Sequence, residues 1–280
     1  MERNILILFG CSETRSRRSM HGSERKNIVV VGYPKSGTTW VSKLVAELAE
    51  CPLAGDWGYA HINAPYKEGT QRDSEFKVSK SHHTAHEIHG VSTTPIYKMI
   101  YVLRDPRDVV ISGLHYFIFI PQMFSFINKF KMLGLGKLMR KALNRLLSKN
   151  TKKKRMIKAI LHGDSQVDYW LKTSWKDHYN SYKDQEVLFV KYEDLLKDPN
   201  TQCEKMLTFL EIETTPEHIM TSIDKQSFQK QKQAIEETND NYLGKLMRKG
   251  EHGNWKEEFT EKEVSLFKNS LSGYGNLYNF

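Results

Sequence analysis

No stretch of this 280-residue chain restricts its fold as tightly as residues 28–40. Ile28-Val29-Val30-Val31 is a β-branched run that predicts a buried strand. Gly32-Tyr33-Pro34-Lys35-Ser36-Gly37-Thr38-Thr39-Trp40 follows, and Val41 to Leu48 carries apolar residues at helical spacing. A helix that starts this way leaves its first backbone N–H groups unpaired, and its dipole favours an anion there. Gly37 lets the backbone come close to a ligand. Thr38 and Thr39 add hydroxyl donors, and Lys35 adds positive charge.

Gly32 and Gly37 have the spacing of a Walker A loop, but Thr38 stands where its lysine belongs. The lysine sits inside the loop instead, at position 35. Such a loop can cradle one phosphate but lacks the lysine that reaches β- and γ-phosphates. An ordinary strand-to-helix turn is the plainer alternative. It leaves the convergence of Lys35, Ser36, Gly37, Thr38 and Thr39 unexplained.

Further along, Phe76 to Ser79, Lys98 to Leu103 and Val187 to Val190 predict strands. Asp105-Pro106 and Asp198-Pro199 open helices, with proline at the first helical position. Asp164 to Lys183 predicts one helix. Thr260 with Glu263 forms a capping box for a last one. Strands alternating with helices predict an α/β fold: a P-loop-like parallel sheet flanked by helices on both faces. Residues 1–26 are expected to form a mobile tail, and 27–280 a single domain.

Residues 114–163 stand apart. They hold twelve Lys and Arg and no Asp or Glu, against a net charge of +9 for the whole chain. Apolar residues interleave with the charges, and the single domain is expected to carry a basic, apolar insertion around 114–163. It forms either a solvated lid or an amphipathic surface that meets anionic lipid. Cys11, Cys51 and Cys203 offer neither a zinc spacing nor a disulfide framework, which favours a reducing compartment. Ile5 to Phe9 is too short for a signal core or a span, so a cytoplasmic protein is expected.

Three stretches together resemble the cytosolic-type sulfotransferases. They are Tyr33 to Trp40, Tyr101-Val102-Leu103-Arg104-Asp105-Pro106-Arg107-Asp108-Val109-Val110-Ile111-Ser112, and Arg248-Lys249-Gly250-Glu251-His252-Gly253-Asn254-Trp255-Lys256. The resemblance implies a sulfuryl donor, 3′-phosphoadenosine 5′-phosphosulfate (PAPS), with adenosine 3′,5′-bisphosphate (PAP) as product and no metal. It assigns Lys35, Ser36, Gly37, Thr38 and Thr39 to the 5′-phosphate. Arg104, Ser112, Arg248, Lys249 and Gly250 fall to the 3′-phosphate, and Trp40, Tyr192 and Phe228 to the adenine. In this family the late motif usually has aspartate where Asn254 stands.

An acceptor hydroxyl must lose a proton as it attacks sulfur, and histidine is suited to take it. By resemblance, Lys80-Ser81-His82 supplies His82 as general base and Lys80 as a stabiliser of the transferred group, with Lys35 neutralising the leaving oxygen. His83 is the rival, but neighbours on an extended segment face opposite ways. The implied acceptor is a small or lipid-like hydroxyl compound, or an amine, with Tyr59, His61, Phe117 and Phe119 as loose candidates for its pocket. Nucleic acid is not expected as a partner, and the oligomeric state stays open. A P-loop kinase would need a lysine after Gly37 and magnesium ligands. A purely membrane- or nucleic-acid-binding protein would account for 114–163 but not for the three motifs.

Overall fold

The computed structural model describes residues 25–58, 67–92, 94–119, 135–238, 244 and 249–280. The expected tail, apart from its last two residues, lies outside that set, as do Tyr59, His61 and Arg248. So does 120–134, the middle of the basic segment.

The described chain runs β1 (Lys26–Val31), α1 (Thr38–Leu48), β2 (Leu53–Asp56), β3 (Phe76–Ser81), α2 (Ala85–Ile88), β4 (Ile96–Leu103) and α3 (Pro106–Tyr116). It continues through α4 (Leu135–Leu146), α5 (Lys149–His162), a 3₁₀ turn (Tyr169–Leu171), α6 (Trp175–Tyr182), β5 (Val187–Lys191), α7 (Tyr192–Lys197), α8 (Pro199–Leu210), α9 (Pro216–Lys225) and α10 (Phe228–Thr238). The last helices are α11 (Trp255–Glu258) and α12 (Glu261–Ser270). Five strands form one sheet in the order β2-β3-β1-β4-β5, every adjacent pair parallel.

A parallel sheet covered on both faces needs strands that are apolar throughout, and β1 and β4 supply them. Val29 and Val31 pack with Met99, Tyr101 and Leu103 in one core layer. Ile28 and Val30 pack with Ile100 and Val102 in the other. The first layer is closed by α3, α5 and α6, the second by α1, α8 and α9. Chain leaves β1 for α1 in the second layer and leaves the adjacent β4 for α3 in the first, so a crevice opens at their C-terminal ends. That crevice is where such sheets bind ligands.

Four expectations differ from the structure. The first strand begins at Lys26, two residues before Ile28. Residues 53–56, where no strand is predicted, form the edge strand β2, which is too short and glycine-bearing to show a period. Asp164 to Lys183 is broken into the 3₁₀ turn and α6, because Asp168 accepts the Trp170 N–H and Ser174 caps a fresh start by accepting the Asp177 N–H. The end of the basic segment is no inserted lid. Met156, Ile157, Ala159 and Ile160 of α5 are buried in the first core layer, and Lys153 is buried against Glu263 at 2.8 Å. Among the described residues no helix is long and apolar enough to cross a membrane.

Candidate active site

A cavity of about 340 Å³ opens at the C-terminal ends of β1, β3 and β4. Pro34, Lys35, Gly37, Thr38, Thr39 and Trp40 line it from the turn after β1, Lys80 and His82 from β3, and Arg104 and Ser112 from β4 and α3. Tyr192, Phe228, Lys249 and Gly250 close it from the later chain. Residues separated by more than two hundred positions therefore meet in one space. Ser36 lies behind this wall, fully buried. Of the residues nominated from sequence for the donor and the catalysis, Arg248 alone lies outside the described chain; of the acceptor candidates, Tyr59 and His61 do.

The turn after β1 is built around two left-handed residues, Lys35 at φ 72° and Gly37 at φ 99°. Gly37 caps α1, and a Cβ there would stand 2.7 Å from the Tyr192 ring. Only glycine meets both demands. The Lys35 ammonium lies 4.0 Å from the centre of the Tyr116 ring. Burial, with Arg104 and then Lys80 nearby, pushes its pKa down to about 7. The Ser36 hydroxyl is buried without a hydrogen-bond partner.

Arg104 joins the two ends of the site. Its Nη1 donates to the Lys35 carbonyl at 3.1 Å and its Nη2 to the Glu251 carbonyl at 3.1 Å. Its Cζ lies 4.3 Å from the centre of the Tyr192 ring, while its buried Nε has no hydrogen-bond partner. Trp40 meets Tyr192 edge-on at 5.5 Å and donates its indole N–H to the Gln226 carbonyl at 2.8 Å. The loop carrying Lys249 and Gly250 is held by Asp108, which accepts the Gly253 N–H at 2.5 Å and the Trp255 N–H at 3.2 Å. Asn254 accepts from the Lys249 ammonium at 3.3 Å.

His82 and His83 part company as alternation requires. His82 lines the cavity, and its Nδ1–H donates to the Gly32 carbonyl at 2.7 Å, so Nε2 is the ring's acceptor. Burial, then the Lys80 ammonium, holds its pKa well below the ordinary value and keeps it neutral. His83 turns away, 3 % exposed, with Nδ1 2.9 Å from the Ser81 hydroxyl. The Lys80 ammonium lies 3.5 Å from Asp56, and burial lowers its pKa.

Several lining residues escaped the sequence reading: Lys43, Asp56, Tyr116, Asp168, Trp170 and Gln231. The spacing of Asp168 and Trp170 held one local hint, since aspartate two residues ahead of an N–H it can cap often breaks a helix. Asp56 gave none, because its strand was unrecognised.

The sulfotransferase-domain family model matches residues 25–271. The chain belongs to the sulfotransferase family. Sulfotransferase 1E1 of Rattus norvegicus is 27% identical over 269 residues, which covers 84% of this chain and 78% of the relative. The 3-alpha-hydroxysteroid sulfotransferase of Cavia porcellus is 25% identical over 299 residues, covering 96% and 92%. Mouse sulfotransferase SULT7A1, crystallised in complex with PAP, superposes with a TM-score of 0.63 at 22% identity, over 92% of this chain and 87% of that one. The last likeness establishes the fold of this sulfotransferase: the five-stranded parallel sheet with helices on both faces.

Proposed function

We propose that this sulfotransferase uses PAPS to sulfate a hydroxyl of a small or amphiphilic acceptor, with His82 as general base. One observation carries the reading: two cationic, donor-rich ends and a neutral, inward-facing histidine share one cavity. The residues fit a nucleotide with two separate anionic groups. At one end the Ser36 hydroxyl is orphaned, and at the other the Arg104 Nε. Buried polar groups left unpaired are costly, and anionic oxygens would satisfy both.

In this reading Lys35, Ser36, Gly37, Thr38 and Thr39 hold the 5′-phosphate. Arg104, Ser112, Lys249 and Gly250, joined by Arg248, hold the 3′-phosphate, and Trp40, Tyr192 and Phe228 flank the adenine. The donor supplies the sulfuryl group and departs as PAP. His82 takes the acceptor's proton at Nε2, while its Nδ1–H stays on the Gly32 carbonyl. Lys80 and Lys35 place positive charge where negative charge accumulates, and no metal is required. Trp170, Tyr116 and Phe117 give the remaining wall an aromatic character suited to an apolar acceptor body.

Replacing His82 with alanine should lower turnover by about 100-fold or more while leaving PAP affinity unchanged. Retained turnover would move the base elsewhere. The amphiphilic class of acceptor draws support from α4, where Leu146 is 82% exposed beside Arg145 and Lys141. A peripheral contact with anionic membrane follows from the same surface. Flotation with anionic vesicles at physiological salt tests it, and protein left at the bottom of the gradient ends it. In this reading the protein acts in the cytoplasm, on one leaflet.

A further inference from the structure

The loop that carries His82 is gripped from behind by one face of α6. His178, Ser181 and Tyr182 stand at i, i+3 and i+4, so they share that face. Each takes one backbone group of the loop. His178 Nε2 lies 3.2 Å from the His82 carbonyl oxygen. The Tyr182 hydroxyl donates to the His83 carbonyl at 2.8 Å. The Ser181 hydroxyl oxygen accepts the Ala85 N–H at 3.1 Å.

His178 itself has a defined state. It is buried at 1 % exposure, and burial lowers its pKa to about 4, so the ring is neutral. A neutral imidazole has one N–H and one acceptor nitrogen. A carbonyl can only accept, so the proton sits on Nε2, facing His82. Nδ1 then accepts from the Tyr101 hydroxyl of β4 at 2.9 Å. Tyr33, from the turn after β1, meets the His178 ring edge-on at 5.7 Å and limits its tilt. The tautomer and the plane of His178 are thus set by β4 and by the turn after β1, both of which also border the cavity.

We propose that His178 is a positioning residue for sulfuryl transfer: by fixing the His82 peptide, it aims the His82 ring with Nδ1 on the Gly32 carbonyl and Nε2 toward the cavity. The inference rests on His82 being the base. The ring of His82 needs two anchors to hold its direction. Gly32 supplies one through the side chain, and His178 supplies the other through the backbone. Without the second, the loop relaxes, the ring loses its contact with Gly32, and water reaches it.

The charged and titratable groups around both rings determine the sign of the effect. His82 faces Lys80 from β3, Lys35 from the turn after β1, and His178 from α6. His178 faces Tyr101 and Tyr33, His83, and Glu87 of α2. A wetter His82 ring returns toward its ordinary pKa. It then becomes protonated, and inactive as a base, at a higher pH than in the intact protein.

His178→Phe keeps the ring volume and removes both hydrogen bonds. His178→Gln keeps a terminal N–H group that can reach the His82 carbonyl. The Phe variant should lose about 10- to 100-fold in kcat, keep its PAP affinity, and show the acid limb of its kcat/KM profile moved to higher pH. The Gln variant should recover most of kcat and the original limb. If the Phe variant melts earlier but keeps its limb and its kcat, His178 is only a core residue and the proposal fails. Should that variant not fold, Tyr101→Phe serves instead. It frees His178 to take the other tautomer, so kcat should drop and the limb should move the same way; an unmoved limb overturns the idea.

Added to His82→Ala, the Phe change should cost nothing further. A fully active His82→Ala enzyme would remove the base assignment and this proposal together. An inactive His82→Ala enzyme beside a Phe variant of normal limb and kcat would remove this proposal alone.

Discussion

Lys35 concentrates the chemistry of the site in one residue. A lysine at positive φ is uncommon, and such strain persists where surrounding structure enforces it. Here Arg104 pins the Lys35 carbonyl, and Tyr116 meets the ammonium. With its pKa near 7, Lys35 is mostly neutral at pH 8 in the free protein. A bound phosphate would favour the charged form and raise that pKa. PAP binding at pH 8 should therefore take up close to one proton, and at pH 6 almost none, because Lys35 is then already charged. Calorimetry in buffers of different ionisation enthalpy reads this directly. Equal uptake at the two pH values would show that Lys35 does not meet the phosphate.

At the scale of elements, the turn between β1 and α1 and the loop before α11 form the two jaws. Neither holds its shape alone. Gly37 is seated under Tyr192, the first residue of α7, and the late loop hangs on Asp108 of α3. Gly37→Ala would force a Cβ into the Tyr192 ring at a backbone angle alanine avoids. PAP affinity should fall by about tenfold or more, ~1.4 kcal/mol; an unchanged isotherm would argue against the jaw. Asp108→Ala leaves the Gly253 and Trp255 N–H groups without their acceptor. A several-fold rise in KM for PAPS is expected, with kcat less affected, because the carboxylate lies away from His82. A change confined to kcat would contradict that placement.

On the scale of the whole molecule, the buried histidines at and behind the cavity also weigh on stability. His178 and His82 both have pKa values depressed in the folded state. Their contribution is present above the unfolded value near 6.5 and is lost as pH falls through the folded one. The fall from 6.5 to about 4 at His178 alone represents about 3 kcal/mol. Glu87, held down to about 2 mainly by the Lys172 ammonium against its own burial, adds a further loss below the usual carboxylate range. Urea midpoints measured at pH 7, 5.5 and 4.5 should therefore decline steadily. In His178→Gln the decline between pH 6.5 and 4.5 should be shallower, and an identical slope would remove His178 from the account.

Much of the framework was legible because it is local. The apolar runs of β1, β4 and β5, the Asp105-Pro106 and Asp198-Pro199 helix starts and the Thr260–Glu263 capping box are set by neighbours a few positions apart. The alternation that turns His82 one way and His83 the other is equally local. The edge strand β2 and the break before α6 were not legible, since four residues give no period and a capped turn can share the apolar spacing of a helix. Nor could the chain reveal that α5 is core, because its six Lys and Arg outnumber its five buried apolar residues. Short-range order along the chain was enough to say which backbone segments end in a phosphate-suited turn and which side chains alternate there. It took the folded molecule to put Asp56, Asp168 and Trp170 on the cavity wall, the late loop on Asp108, and His178 against the His82 carbonyl. Each of those depends on pairs far apart in the chain, whose meeting is fixed only when the sheet and its two helical layers close together.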